Sequence, residues 1–231
     1  MTQKPSDLSL LGKRLLRLDS SAVSDSLDIL GVCGVAGGIR RISTPQRVAG
    51  FVRTIRLVEI GKENGSATHL GVRTIASASP DEVIVVAHGS RKHAAGWGGL
   101  LGRAALKLRV QGVIVDGAVR DLDELVELGL PVFARSATPV SARGRVVESE
   151  VDVDVEICGV SVRTGDLVIA DGSGVVFVPF AIADEVITGA ESVQRKELDM
   201  ARRIDAGHDL KTVLGLDYEQ LLSRASDRLR E

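Results

Sequence analysis

Residues 96–139 read GWGGLLGRAALKLRVQGVIVDGAVRDLDELVELGLPVFARSATP, and this stretch decides the fold. A glycine-rich loop at 96–99 opens an amphipathic helix, whose small alanine residues allow close packing on a sheet. An apolar run at 112–119 then predicts a buried strand that ends in a polar turn at Arg120 and Asp121. We expect the function to depend on the glycine loop and the polar turn meeting in space.

The same alternation extends on both sides of this stretch. A β-branched run at 83–87 is apolar on both faces, which is typical of a central strand covered on both sides. His88 is expected in the loop that follows it. A short helix ending at Gly129 and an apolar run at 132–134 complete a strand–helix–strand–helix–strand series. This series predicts a parallel α/β layer.

The pattern changes after Thr138. Apolar and acidic residues alternate at 146–155, and an Asp-Gly-Ser-Gly turn at 171–174 separates two apolar runs, which indicates antiparallel β structure. Five further elements are predicted: a helix that ends at Gly31, one or two strands within 47–59, a polar turn at 61–65, a helix at 181–206 and a terminal helix at 218–231. We therefore expect an α/β fold in one compact domain at 20–207, with an N-terminal arm and helix at 1–19 and a helical tail at 208–231.

Composition limits the classes of function. Of the 231 residues 44% are hydrophobic, 26% charged and 3% aromatic, so we expect a globular protein with an aliphatic core. The formal net charge of −2 argues against a nucleic-acid binder. No signal peptide and no apolar run of about 18–20 residues is visible, so we expect a soluble, cytoplasmic protein without membrane contact. Cys33 and Cys158 lie in apolar contexts and are interpreted as reduced core thiols.

The glycine loop, Gly96-Trp97-Gly98-Gly99, has two interpretations. Backbone N–H groups at a helix start, together with the helix dipole, bind a phosphate or carboxylate. Alternatively, the loop is a tight turn that binds nothing, because a lone glycine cluster is weak evidence. The loop matches neither a Walker A motif nor a dinucleotide-binding fingerprint.

Arg120 and Asp121 are the second candidate pair. Arginine presents a planar fork that suits a carboxylate, and aspartate is a hard oxygen ligand for Mg²⁺ or Mn²⁺. In the alternative, Asp121 is the N-cap of the helix that starts at Leu122, and Arg120 is a solvated surface residue. Spacing alone leaves both interpretations open.

Other side chains give weaker indications of a functional site. The four histidines show no metal-ligand spacing, and no Gly-x-Ser-x-Gly or Cys–His arrangement supports covalent hydrolase chemistry. These histidines are His69, His88, His93 and His208. His88 and His93 are expected in the loop before Gly96, where they could border a pocket. The acidic strand at 148–154 is interpreted as a solvent-facing strand and not as a metal site.

Several of these segments resemble the family of 4-hydroxy-4-methyl-2-oxoglutarate aldolases and regulators of ribonuclease activity A (RraA-like). The resemblance runs from about residue 20 to about residue 207. Its segments are GGLL at 98–101, Ala105, GVIVDGAVRD at 112–121, Glu124-Leu125, LPVFA at 130–134, VSDSL at 23–27, GDLVIAD at 165–171 and GVVFVP at 174–179. The resemblance implies a swivelling β/β/α single domain. It also implies a trimer or a pair of trimers, with active sites between subunits.

The resemblance further implies a reaction and a set of roles. The aldolase members are metal-dependent lyases that cleave a 4-hydroxy-2-oxo acid to pyruvate and a second keto acid, and many decarboxylate oxaloacetate. Arg120 would bind the pyruvyl carboxylate, and Asp121 would hold Mg²⁺ or Mn²⁺. The start of the helix, Gly98 and Gly99 with the backbone N–H groups of Leu100 and Leu101, would contribute to the substrate site.

One position departs from the motif implied by the resemblance, an acidic residue followed by twenty positions and then Arg-Asp. Gly99 occupies the acidic position. Either another acid supplies the function, with Glu197 across a subunit boundary as one candidate, or the substrate and chemistry differ. Two alternatives therefore stay open, a non-catalytic protein that binds a ribonuclease and a lyase for a sugar-derived acid. Because regulator members often lack the aspartate, Asp121 favours the enzyme.

Overall fold

A computed structural model of the chain describes residues 5–61 and 69–215. Most of the predicted turn at 61–65 and the predicted helix at 218–231 lie outside the described residues. Seven α-helices occur in the described part: α1 (Pro5–Leu15), α2 (Ser20–Ile29), α3 (Val72–Ser77), α4 (Gly99–Lys107), α5 (Leu122–Leu128), α6 (Ala183–Asp205) and α7 (Leu210–Val213). The strands described are β1 (Arg40–Arg41), β2 (Val48–Glu59), β3 (Glu82–Ala95), β4 (Gly112–Val119), β5 (Val132–Ala137), β6 (Val146–Val151), β7 (Val155–Ile157), β8 (Val160–Val162), β9 (Leu167–Ala170) and β10 (Val175–Val178).

The main sheet is mixed. Its order is β1-β5-β4-β3-β2-β9-β10, and β6 also pairs with β2. Strands β2, β3, β4 and β5 run parallel to their neighbours in this series, whereas β1, β6, β9 and β10 are antiparallel to theirs. The hairpin of β7 and β8 forms a separate two-stranded sheet. The predicted α/β fold with parallel and antiparallel strands is confirmed.

Buried side chains between strand β4 and the helices α4 and α5 place the start of α4 beside the end of β4. Leu101 and Ala105 of α4, Leu125 of α5, and Val113 and Val115 of β4 share one buried cluster. Full burial of each large aliphatic side chain contributes roughly 1.5–3 kcal/mol. The glycine loop and the polar turn are therefore anchored by one core.

The prediction that His88 lies in a loop is wrong. We expected a loop after residue 87, but β3 continues to Ala95 with a register shift between Val86 and Arg91. The imidazole is fully buried, its Nε2 lies 2.8 Å from the Ala94 carbonyl oxygen, and burial lowers its pKa. A Cβ at position 117 would overlap the ring, so Gly117 makes room for it. His88 is a core residue, which polarity alone did not indicate.

Two further expectations were wrong in part. Both cysteines are free, but Cys33 is exposed, and Cys158 is half-buried at the margin of a core cluster. The acidic strand does not face solvent throughout: Glu148 is 1% exposed, accepts a hydrogen bond from Gly71 N at 2.6 Å and pairs with Arg73. Its burial is possible because these donors compensate the charge.

Within residues 5–61 and 69–215, no helix combines the length and the apolar character needed to cross a bilayer.

Asp171 ties the start of α2 to the turn between β9 and β10. Its carboxylate is 7% exposed and accepts hydrogen bonds from Ser20 N (2.8 Å), Ser20 Oγ (2.7 Å) and Ser173 N (2.9 Å). Burial acts to raise the pKa of Asp171, but the bonds from Ser20 and Ser173 outweigh it and the pKa lies below its ordinary value. The ionised form is therefore the one that stabilises the fold.

We expect Asp171→Asn to lower the free energy of unfolding at pH 7 by about 1–3 kcal/mol, because a buried charged acceptor is lost. The folded pKa of Asp171 is depressed. Its contribution is therefore present above the unfolded value of about 3.9 and is lost as pH falls through the folded value. Urea unfolding at pH 7 and pH 3 should show a smaller acid-induced loss for the variant than for the wild type. Asp205→Asn, at an exposed position of α6, is the control, and equal acid sensitivity of wild type and Asp171→Asn would contradict this role.

Candidate functional site

The glycine loop and the polar turn are in direct contact. Gly96 N donates a hydrogen bond to the Ala118 carbonyl oxygen at 2.8 Å, and Arg120 N donates to the Trp97 carbonyl oxygen at 3.0 Å. The loop before α4 is thus joined by backbone bonds to the last residues of β4. This juxtaposition was the central sequence-based expectation, and it is confirmed.

Asp121 has an unusual backbone and an unusual bonding partner. It occupies the N-cap position of α5 with φ 57° and ψ 46°, and its side chain makes no capping hydrogen bond to that helix. Its Oδ2 instead accepts a hydrogen bond from Gly99 N, at the start of α4, at 3.1 Å. A left-handed conformation in a residue with a side chain costs roughly 1 kcal/mol or more and is often found at functional sites. The predicted N-cap position of Asp121 is therefore confirmed, but its side chain does not cap α5.

Arg120 lies against the same carboxylate. Its Nε donates to Asp121 Oδ1 at 2.9 Å and to Oδ2 at 3.1 Å. The side chains of Arg120 and Asp121 are 37% and 34% exposed, so the pair lies at the surface of a cavity and not in the core. The carboxylate of Asp121 therefore contacts both the guanidinium group of Arg120 and a backbone N–H at the start of α4.

Gly98 allows this close approach. Its φ of −166° is extended, so the glycine is not required for backbone reasons. A Cβ at this position would lie 2.8 Å from Arg120 Cγ and 2.8 Å from Asp121 Oδ2. Any side chain here would displace the Arg120–Asp121 pair.

Gly99 makes room for Glu124, to which the sequence analysis assigned no functional role. A Cβ at position 99 would overlap Oε2 of Glu124, which reaches back from α5. The other oxygen, Oε1, accepts a hydrogen bond from Arg103 Nη2 at 2.8 Å. The spacing in the sequence could have pointed to Glu124. It follows Asp121 by three positions, and residues at this spacing lie on the same side of a helix.

A cavity of about 380 Å³ opens beside the pair. Arg143 adds a second cation to its lining, and Leu100, which is 79% exposed, lies at its edge. Trp97 also lines it, is 1% exposed, and its Nε1 has no hydrogen-bond partner within the described residues. The lining residues are Ile60, His69, Leu70, Ala95, Trp97, Gly98, Leu100, Leu101, Arg120, Asp121, Ser141, Ala142, Arg143, Gly144, Val146 and Val147.

A larger cavity of about 690 Å³ lies beside Phe51 and Phe180. Its one carboxylate, Asp166, already accepts hydrogen bonds from Arg163 N at 2.8 Å and Phe180 N at 3.0 Å. The smaller cavity is therefore the better candidate site, because it combines an accessible carboxylate with two guanidinium groups.

The donor set at Asp121 suits a hard divalent cation. Mg²⁺ and Mn²⁺ bind through one or two carboxylates and complete their coordination with waters and substrate oxygens. No group of three or more His, Cys, Asp or Glu side chains able to hold a metal occurs in the described part of the chain, so a closed zinc-type site is not indicated there. Among the histidines, His69 lines the cavity, His88 is in the core, and His93 and His208 are exposed.

Glu197 lies in a different cavity of the same chain, lined also by Asp19, Arg41 and Asp171. Burial, followed by the charges of Asp19 and Asp25, raises its pKa. Within one subunit Glu197 is thus not the acid beside Gly99, and its approach across a subunit boundary stays a prediction.

Comparison with known proteins identifies the family. A family model described as RraA-like, Aldolase/RraA, matches residues 20–177. The chain belongs to the RraA-like family. Its match to the 4-hydroxy-4-methyl-2-oxoglutarate aldolase of Thermus thermophilus is 35% identical over 133 residues, 58% of this chain and 76% of that protein.

Two other comparisons extend over more of the chain. Protein DlpA of Legionella pneumophila is 29% identical over 202 residues, which are 86% of this chain but only 32% of DlpA, so the chain spans about a third of that relative. The crystal structure of Streptomyces coelicolor RraAS2, described as an unusual member of the RNase ES inhibitor RraA protein family, superimposes with a TM-score of 0.76 at 25% identity. That match covers 87% of this chain and 99% of RraAS2. The fold implied by the resemblance is confirmed.

Proposed function

We propose that this protein is a divalent-metal-dependent lyase that cleaves a 4-hydroxy-2-oxo dicarboxylic acid, such as 4-hydroxy-4-methyl-2-oxoglutarate, to pyruvate and a second keto acid. Oxaloacetate decarboxylation is a related activity within the proposal. The observation that carries it is the accessible Arg120–Asp121 pair at the cavity beside the start of α4. The 35% identical relative named as this aldolase supports it.

Arg120 is suited to binding the substrate carboxylate. Its Nε is used by Asp121, and its two terminal nitrogens carry further donors in the planar arrangement that matches a carboxylate. The pairing with Asp121 restrains the guanidinium and thereby orients a bound keto acid. The N–H groups of Leu100 and Leu101 lie in the first turn of α4, where backbone donors have no partner within the helix.

Asp121 is suited to holding the cation. When bound, Mg²⁺ or Mn²⁺ supplies Lewis-acid stabilisation of the negative charge that develops on the keto oxygen. The Asp121 carboxylate is oriented by Gly99 N and by Arg120 before any ligand arrives. The guanidinium of Arg120 adds a second positive group next to the same substrate atoms.

Assembly belongs to the same proposal. We infer a homotrimer or a pair of trimers, with a partner subunit completing the cavity. Leu100 supports this, because a large apolar side chain that is 79% exposed beside a charged site is well placed to be covered by a neighbouring chain.

The direct test is pyruvate release from 4-hydroxy-4-methyl-2-oxoglutarate and from oxaloacetate, followed by a coupled assay. We expect EDTA to abolish release and added Mg²⁺ or Mn²⁺ to restore it. A panel of sugar-derived 4-hydroxy-2-oxo acids separates the aldolase from a lyase for another acid. Release that continues unchanged in EDTA would contradict the metal-dependent proposal.

A non-catalytic role in ribonuclease binding is the second candidate, supported by the similarity to RraAS2. The same preparation should be tested for binding to a purified ribonuclease E-type enzyme. Binding without pyruvate release at millimolar Mg²⁺ and Mn²⁺ would favour the regulator over the lyase.

A further inference from the structure

The side chain of Glu124, on α5, lies against Gly99 at the start of α4. The carboxylate of Glu124 occupies the space where a side chain at position 99 would begin. The amide of the same glycine donates to Oδ2 of Asp121 at 3.1 Å. The carboxylates of Asp121 and Glu124 therefore both contact one residue without a side chain, and they approach it from consecutive parts of the chain, the polar turn and α5.

The two oxygens of Glu124 have different surroundings. Oε1 accepts a hydrogen bond from Arg103 Nη2 at 2.8 Å, and this contact holds the side chain back against α4. Oε2 is the oxygen that lies where a Cβ of residue 99 would be. The Glu124 side chain is 34% exposed, so a solvated ion can reach it.

A single carboxylate is a weak ligand set for Mg²⁺ or Mn²⁺, and these ions are commonly held by one or two carboxylates with waters. Acidic groups beside the ligands also fix metal-bound waters, and loss of such a group typically costs about 10–100-fold in affinity. Glu124 is placed to be such a second acid, and the absence of a side chain at Gly99 is what admits it.

We propose that Glu124 supplies the second carboxylate of the metal centre, in the space that Gly99 leaves open. The proposal rests on the proposed function, since it concerns the same cation at Asp121. It accounts for glycine at position 99, because the acid is delivered from α5 and a side chain on α4 would collide with it. Arg103 pairs with the other oxygen, Oε1, and is not itself needed to hold the cation.

The test measures Mn²⁺ affinity by titration calorimetry on the full chain without substrate. Glu124→Gln keeps the shape of the side chain and removes its charge, and we expect it to weaken Mn²⁺ binding by about 10–100-fold. Arg103→Gln breaks the same ion pair but keeps the carboxylate, so binding should change by no more than about threefold, as for a partly exposed pair. Glu127→Gln, at an exposed position of α5, is the matched control.

A transfer variant moves the acid from α5 to α4. In Glu124→Ala the carboxylate is lost, and in Gly99→Asp combined with Glu124→Ala it returns from the other helix into the vacated space. We expect the double variant to recover Mn²⁺ affinity relative to Glu124→Ala, with thermal unfolding confirming that both are folded. If the double variant does not fold, the comparison of Mn²⁺ affinity between Glu124→Gln and Arg103→Gln still tests the role of Glu124.

The outcomes are distinguishable. Wild-type affinity in Glu124→Gln, together with loss of Mn²⁺ binding in Asp121→Ala, would overturn the role of Glu124 and leave the proposed function standing. Equal losses in Glu124→Gln and Arg103→Gln would assign Glu124 to a structural ion pair and also overturn it. A wild-type chain that binds no Mn²⁺ would overturn both proposals.

Discussion

Asp121→Ala is expected to remove metal-dependent pyruvate release, with kcat/KM falling by at least about 100-fold, since even loss of an outer-shell group costs 10–100-fold. The carboxylate is held by Gly99 N and by Arg120, and alanine leaves both donors without their acceptor. Steady-state kinetics over a Mn²⁺ titration measure the effect. We expect excess metal to recover little of the lost rate, because the proposed protein ligand itself is missing.

The matched control is Asp123→Ala, two residues further on at an exposed position in the first turn of α5. This variant removes one negative charge from the same region and should keep activity within about twofold, because it alters only a solvated charge near a helix end. Full activity in Asp121→Ala would contradict its assignment as metal ligand. Equal losses in the two variants would indicate a general electrostatic effect of the region.

Arg120→Lys is expected to have the second large effect, a loss of about 100-fold in kcat/KM that appears in both kcat and KM. Lysine keeps the charge but lacks the planar fork, so it neither binds a carboxylate through two parallel bonds nor maintains the restraining contact to Asp121. Orientation and transition-state charge stabilisation are both weakened. The measurement is the separate determination of kcat and KM at saturating Mg²⁺.

Arg163→Lys is the control for this change. Arg163 is 68% exposed in its side chain and pairs with Asp154 away from the candidate cavity, so its replacement should leave both kinetic constants unchanged. Unchanged kcat and KM in Arg120→Lys would show that a positive charge suffices, and it would contradict bidentate carboxylate binding.

The sequence predicted the layer that carries the site because periodicity is a local property. The apolar run at 112–119 and the alternation of short strands with helices indicated parallel pairing, and β3, β4 and β5 are parallel. Parallel strands deliver their carboxyl ends to one edge, which brought the loop before α4 to the polar turn after β4. The antiparallel pairing of β9 with β10 was also predictable, from the turn between them.

Local sequence patterns gave wrong predictions for side chains whose burial or bonding depends on residues that are distant in the sequence. His88 looked like a loop residue, but Gly117 on the neighbouring strand makes room for its ring. Glu148 looked solvent-exposed, but Gly71 N and Arg73 approach it from another part of the chain. The backbone of Asp121 showed the same limit, because an N-cap pattern does not reveal that the side chain bonds to a different helix.

The sequence by itself determined the type of fold and the family, because these depend on residue types at fixed local spacing. It also predicted Arg120 and Asp121 as the candidate site pair. Only the tertiary structure decided that Glu124 fills the space beside Gly99. The distance between two side chains on α4 and α5 is set by how the two helices pack on β4, and sequence separation contains no information about that packing.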